Sequence, residues 1–235
     1  MSHSISLLAA DGHPFSAYVA GDPSANSAVI ILQEIFGVNA HIRFVADTYA
    51  RHGFYVVAPA LFDRIERDVE LDYDPAGLDR ARALAARLSP EAVLQDIAAA
   101  IAHAGANTRG GRVGVVGYCL GGSYAWLSAT RLSPAAVVGY YGSKIAAHLN
   151  EKPLVPVILH FGDQDRGIPL SDIDKIRAAH PDVPVFVYSA GHGFNRNGGA
   201  SWSEPAANLA FARTLDFLRT TLSPASVQRG EAVPQ

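Results

Sequence analysis

Cys119 is the only cysteine in 235 residues, and it stands in Gly117-Tyr118-Cys119-Leu120-Gly121-Gly122. The segment reads as G-x-S-x-G with a thiol in place of the hydroxyl. A thiol in that frame can act as a nucleophile toward an acyl carbon. The glycines two residues to either side allow a sharp strand-to-helix turn, where a side chain would collide with neighbouring backbone. The turn aims the sulfur at the start of a helix, whose positive end favours the thiolate. The competing reading is an inert free thiol buried after a core strand. Both glycines and the strand-helix context favour the nucleophile.

Such a nucleophile needs a base, and the base needs an orienting acid. Where an elbow carries the nucleophile, the chain order is nucleophile, acid, histidine. Four histidines follow Cys119. His148 lies in a polar connection, His180 ends a helix, and His160 sits inside the apolar run 155–161. His192 lies in Ala190-Gly191-His192-Gly193-Phe194, a glycine-flanked loop after the last strand, where the base belongs. The acid comes from Gly162-Asp163-Gln164-Asp165-Arg166-Gly167. Asp163 suits a local turn, and Asp165, farther along the loop, is better placed to reach His192. Upstream, Gln33-Glu34-Ile35-Phe36-Gly37 leaves the first buried strand. Its loop supplies one amide to an oxyanion and the residue after the nucleophile supplies the other, which points to Ile35 and Leu120. Glu34 stands close to the predicted thiol. A lone carboxylate there raises a thiol pKa, so a buried Glu34 calls for a balancing cation.

These residues need a scaffold, and the pattern supplies one. Strands are expected at Ser4–Ala9, Phe15–Ala20, Ala28–Leu32, Phe54–Ala58, Arg112–Val116, Ala136–Tyr141, Val155–Phe161 and Val185–Tyr188. Helices are expected at His41–His52, Pro75–Leu88, Pro90–Ala104, from the elbow to Arg131, Ser171–His180 with Ser171 as N-cap, and Glu204–Leu222. Ala60–Asp74 reads as a charged loop. Alternating strands and helices imply a mostly parallel sheet with helices on both faces, the α/β-hydrolase fold, edged by the opening antiparallel hairpin. Residues 1–222 form one domain in this reading, and 223–235 a loose tail. Ligands in such sheets bind beyond the carboxyl ends of the strands, where the elbow puts Cys119.

Composition excludes several alternatives. Hydrophobic residues make up 49% of the chain and charged residues 17%, with a net charge of −3. No basic patch offers a nucleic-acid footprint. One cysteine excludes an intramolecular disulfide and a cysteine-cluster metal site. No apolar run reaches the ~18 residues of a membrane span, and Met1-Ser2-His3-Ser4 opens no signal peptide. The expectation is a cytoplasmic protein, a monomer or weak homo-oligomer, without metal or cofactor.

Five motifs together resemble the dienelactone hydrolase (carboxymethylenebutenolidase) family: Gln33-Glu34-Ile35-Phe36-Gly37-Val38-Asn39, Gly117-Tyr118-Cys119-Leu120-Gly121-Gly122, Gly139-Tyr140-Tyr141-Gly142, Gln164-Asp165 and Gly191-His192-Gly193-Phe194-Asn195-Arg196. The resemblance runs from the opening hairpin to about Leu218. It implies Cys119 as nucleophile, His192 as base and Asp165 as orienting acid. It also implies that Glu34 hydrogen-bonds the resting thiol and is otherwise held by Arg196. An anionic substrate then competes for Arg196, and the released Glu34 takes the thiol proton. The implied reaction is water cleaving a carboxylated cyclic enol ester to an open-chain dicarboxylate, a step of chlorinated-aromatic breakdown.

The chain departs from that pattern where the family places a second substrate-clamping arginine, because Leu78 occupies the position. Arg80 or Arg82, a turn away, or Arg64 are the candidate replacements. Trp202 and Tyr141 are candidate pocket residues, with Tyr140 in the core. Two further readings compete: the same triad acting on neutral esters or other lactones, and a non-catalytic thiol sensor or binding module.

Overall fold

The computed structural model describes residues 2–223. Eight strands form one sheet: β1 (His3–Leu8), β2 (Pro14–Ala20), β3 (Ser27–Leu32), β4 (Tyr55–Pro59), β5 (Arg112–Tyr118), β6 (Ala136–Tyr140), β7 (Val157–Gly162) and β8 (Val185–Tyr188). Their order across the sheet is β1-β2-β4-β3-β5-β6-β7-β8. The opening hairpin is antiparallel, β2 also runs antiparallel to β4, and all other pairs are parallel. β4 and β6 are buried along their whole length, as continuous apolar runs covered on both faces should be.

Among the described residues six α-helices cover the sheet: α1 (Ala40–Arg51), α2 (Pro75–Ala85), α3 (Pro90–Ala106), α4 (Leu120–Arg131), α5 (Leu170–Ala179) and α6 (Glu204–Leu222). Asn39, Asp74 and Ser89 cap α1, α2 and α3 by accepting from the amides of Ile42, Gly77 and Ala92. Both α2 and α3 carry proline in the first turn, where its missing N–H costs nothing. Trp126 of α4 is fully buried in the core. No helix among the described residues is long and apolar enough to cross a membrane.

Several boundaries shift by one to three residues, and three of these departures have definable reasons. α2 stops at Ala85 rather than Leu88; Arg87 and Leu88 continue as tight turns, and Ser89 precedes a proline, which disfavours helical backbone. β7 starts at Val157 because Pro156 accepts from Val137 but has no N–H to donate. Ser171 is not the N-cap of α5. Pro169 is, and its carbonyl accepts the Asp172 amide while no side chain caps the turn. The loop 60–74 contains one 3-10 turn, Leu61–Arg64. Of the expected tail, everything from Pro224 onward lies outside the described residues.

Register brings the chemistry to one edge. Leu32 pairs with Gly117, and Tyr118 with Tyr140, so β3, β5 and β6 end side by side. The segments bearing Glu34, Cys119 and Tyr141 leave from those ends.

Candidate active site

The elbow is built by close backbone approach. Cys119 has φ 53° and ψ −110°, a strained conformation for a residue with a side chain. Its amide donates to Tyr140 O at 3.0 Å, and the Gly121 amide donates to Gln33 O at 2.9 Å. A Cβ on Gly117 would lie 1.9 Å from Gly121 O, and one on Gly121 would lie 2.3 Å from Leu32 O. Neither space exists, which is why glycine stands at both positions. Gly121→Ala is expected to lower the thermal midpoint by an amount matching about 1–3 kcal/mol of overpacking. An unchanged melting curve would refute this packing argument. α4 begins at Leu120, so the sulfur sits at the helix N-terminus.

His192 and Asp165 meet across two loops. His192 Nδ1 lies 2.6 Å from Asp165 Oδ2, and the Asp165 side chain is completely buried. Asp165 Oδ1 accepts the Gly167 amide at 2.8 Å, which fixes the carboxylate plane. Burial of His192 opposes its protonation. The Asp165 carboxylate and the neighbouring Cys119 sulfur outweigh that and push its pKa up to about 10. Asp163 does not make the local turn bond expected of it: its Oδ1 accepts the Ala190 amide at 3.2 Å and ties the two loops together, while the bond to backbone two residues on belongs to Asp165. His160 is a packed strand residue: its nitrogens meet Tyr188 Oη and Thr214 Oγ1, and burial lowers its pKa to about 3.

Glu34 is only 3% exposed, yet no cation pairs with it among the described residues. Tyr73 Oη donates to its Oε2 at 2.8 Å and Tyr141 Oη to its Oε1 at 3.4 Å. Burial, followed by the charge of Glu34, raises both phenols, so they remain protonated donors. This corrects the expectation of a Glu34–Arg196 pair and of a Glu34 hydrogen bond to the thiol. Arg196 stacks on Tyr73 instead, with Cζ 3.8 Å from the ring centroid. Tyr141, expected at the substrate, is fully buried and serves Glu34. Its φ is 38°, so the backbone is strained here also. Tyr140 is a core residue, bonded to Thr214.

Cys119, His192, Glu34 and Arg196 line a single cavity of about 530 Å³, walled also by Leu78 and Arg82. Leu78 and Arg82 are four residues apart and share a helix face. Arg80, two residues from each, points about 200° away. It pairs on the surface with Glu66, which corrects its expected substrate role. Arg64 is committed elsewhere, bridging Asp11 and the buried Asp96. Trp202, expected in the substrate pocket, lines a separate cavity with residues of α1 and α6 rather than the one that holds Cys119 and Arg196. Ile35 opens into the site, and neither its amide nor that of Leu120 has a hydrogen-bond partner among the described residues.

Two contributors were missed by sequence reasoning. Tyr73 hides in the aperiodic loop, marked only as a lone aromatic beside the Asp74-Pro75 cap. Gln33 is fully buried and ties two strand ends together, its Oε1 accepting the Leu61 amide and its carbonyl the Gly121 amide.

A mostly parallel sheet with a strained thiol elbow after β5 and an Asp-His pair on later loops defines an α/β-hydrolase fold. The dienelactone hydrolase family model matches residues 15–222. Carboxymethylenebutenolidase of Pseudomonas putida is 37% identical over 227 residues, covering 93% of this chain and 96% of that one. Carboxymethylenebutenolidase 1 of Cupriavidus pinatubonensis is 32% identical, covering 95% and 99%. Among solved structures, a putative dienelactone hydrolase from Klebsiella pneumoniae superposes with a TM-score of 0.76 at 25% identity, covering 92% and 98%. The chain belongs to the dienelactone hydrolase family and is a carboxylic ester hydrolase.

Proposed function

We propose that this enzyme opens small carboxylated lactones and enol esters, with dienelactone to open-chain dicarboxylate as the model reaction. The observation that carries the reading is one cavity holding a thiol, an imidazole and two guanidinium groups, Arg82 and Arg196. Cys119 Sγ attacks the lactone carbonyl as its proton passes to His192. The oxyanion is received by the amides of Ile35 and Leu120, each contributing about 3 kcal/mol to lowering the barrier. The ring oxygen leaves as an enolate and takes that proton from His192, giving a Cys119 thioester and a neutral imidazole. Water, deprotonated by His192, then releases the dicarboxylate and restores the thiol. Asp165 holds the imidazole in the required tautomer throughout. A nucleophilic thiol that must stay reduced suits the cytoplasm.

A second reading, neutral esters as substrates, draws support from the apolar side chains of Ile35, Phe36 and Leu78 on the same wall. Turnover of a carboxylated dienelactone beside nitrophenyl acetate separates the two. Arg196→Ala and Arg82→Ala are each expected to raise KM for the anionic substrate about tenfold, the scale of a charge-assisted hydrogen bond, and to spare the neutral one. Arg80→Ala should leave both unchanged. Equal losses on the two substrates would remove the arginines from substrate recognition.

A further inference from the structure

Three segments distant in sequence meet at Tyr73. Its hydroxyl donates to Glu34, its ring lies against the Arg196 guanidinium, and it packs on Phe36 with ring centroids 4.2 Å apart. The strand-like segment before Tyr73 is tied to the loop bearing Glu34. Leu71 N donates to Phe36 O at 3.0 Å, Asn39 Nδ2 donates to Leu71 O at 3.3 Å, and Gly37 and Glu70 form a β-bridge. Gly37 makes the approach possible: its φ is 83°, and a Cβ there would lie 1.8 Å from Val69 O. On the other side of Tyr73, Asp74 caps α2. The ring is therefore anchored from both directions.

Gly199 helps to seat the guanidinium, since a Cβ at that position would lie 2.4 Å from Arg196 Nε. A cation–π contact occupies the face of the guanidinium and leaves its N–H edges free. Among the described residues those edges have no hydrogen-bond or ion-pair partner, and Arg196 lines the cavity.

We propose that Tyr73 is the positioning residue that links Arg196 to Glu34: its ring presents the guanidinium edges to the cavity, and its hydroxyl holds the Glu34 carboxylate off the sulfur. The proposal rests on the carboxylated-substrate reading above. A cation on the ring face polarises the phenol and strengthens its donation to Glu34. The other ionisable groups around Glu34 and Tyr73 are Tyr141, Tyr118, Cys119 and His192, with Asp74 and Arg82 of the α2 end lining the same cavity and His41 on α1 kept neutral chiefly by burial.

The test compares Tyr73→Phe, which keeps the ring and loses the hydroxyl, with Tyr73→Leu, which loses both. Iodoacetamide alkylation of Cys119 across pH needs no substrate. With Glu34 no longer sharing its charge with Tyr73, the alkylation midpoint of Tyr73→Phe should rise by about half a unit or more. Its KM for a carboxylated dienelactone should stay within about twofold, because the cation–π seat survives. Tyr73→Leu should raise that KM about fivefold or more and leave KM for a neutral ester unchanged. On a Glu34→Gln background, the Tyr73→Phe shift should vanish. A midpoint equal to that of the unmutated enzyme, or a shift that persists on Glu34→Gln, overturns the role of the hydroxyl. The absence of a selective KM rise overturns that of the ring. An unmutated enzyme that turns over no carboxylated lactone would sink the substrate reading instead, while the alkylation series still decides the Tyr73–Glu34 link. Thermal melts accompany each variant, and Tyr73→Phe keeps the test standing if Tyr73→Leu fails to fold.

Discussion

Cys119→Ala is expected to cut lactone hydrolysis by on the order of 10⁴-fold or more, the scale seen when a covalent nucleophile is removed. The size follows from the absence of any substitute. Cys119 is the only cysteine, and no hydroxyl side chain stands among the residues lining the cavity except the phenol of Tyr73, which is engaged with Glu34. The variant should still fold. Alanine meets the same strained φ of 53° as cysteine, and the amide's bond to Tyr140 O is a backbone bond that the change leaves in place. The measurement is turnover together with the thermal midpoint. Lost turnover with a midpoint within a few degrees of the parent is expected, since a few degrees corresponds to about 1 kcal/mol at this chain length. Turnover that survives with a normal midpoint would end the nucleophile assignment. Lost turnover with a collapsed midpoint would be a folding effect, and Cys119→Ser would then decide the question, because it keeps the side-chain size while weakening the nucleophile.

What was legible in the sequence shares one property: it is local. The elbow announces itself because Gly117 and Gly121 are each forced by contacts within a few residues of the turn or at the adjacent strand end. His192 and Asp165 were found from their loops after β8 and β7, and the structure brings them to 2.6 Å. What was not legible depends on three segments converging. The sequence asks for a cation to balance a buried Glu34, and the family resemblance implies Arg196 for that place. Two tyrosine hydroxyls take that place instead, one from β6's end and one from the loop before α2. Nothing in the spacing of Tyr73 announces this, because its position is set by the Gly37–Glu70 bridge. The arginine question was answerable in principle: once Leu78 faces the cavity, helix phase selects Arg82 and rejects Arg80. For Trp202 the sequence left pocket lining and packing at the helix start equally open, and the indole lines the cavity beside α1 and α6.

Asp165→Asn is expected to cost about 10³–10⁴-fold in turnover, and the structure says which way the error arises. Asp165 Oδ1 accepts the Gly167 amide and Oδ2 faces His192 Nδ1. An asparagine must keep an oxygen toward Gly167, so its NH₂ group faces His192. Nδ1 can then only accept, which puts the imidazole proton on Nε2. That is the wrong tautomer for a base on the sulfur side. The pH dependence carries a second signature. Asp165 and the sulfur hold His192 protonated to about pH 10 against the opposing effect of burial. Because the folded value lies above the ordinary 6.5, the associated stabilisation is complete below 6.5 and is lost as pH rises through 10. The proton that His192 holds in the resting pair is the one the leaving enolate takes, so the alkaline limb of kcat/KM should fall near pH 10 in the parent and move down toward the ordinary histidine range in the variant, with sulfur and imidazole behaving as a coupled pair. The thermal-midpoint deficit of the variant should likewise be largest near neutrality and shrink above pH 10. A variant that keeps its rate within about tenfold, with an unmoved alkaline limb, would show that Asp165 orients nothing that the reaction requires.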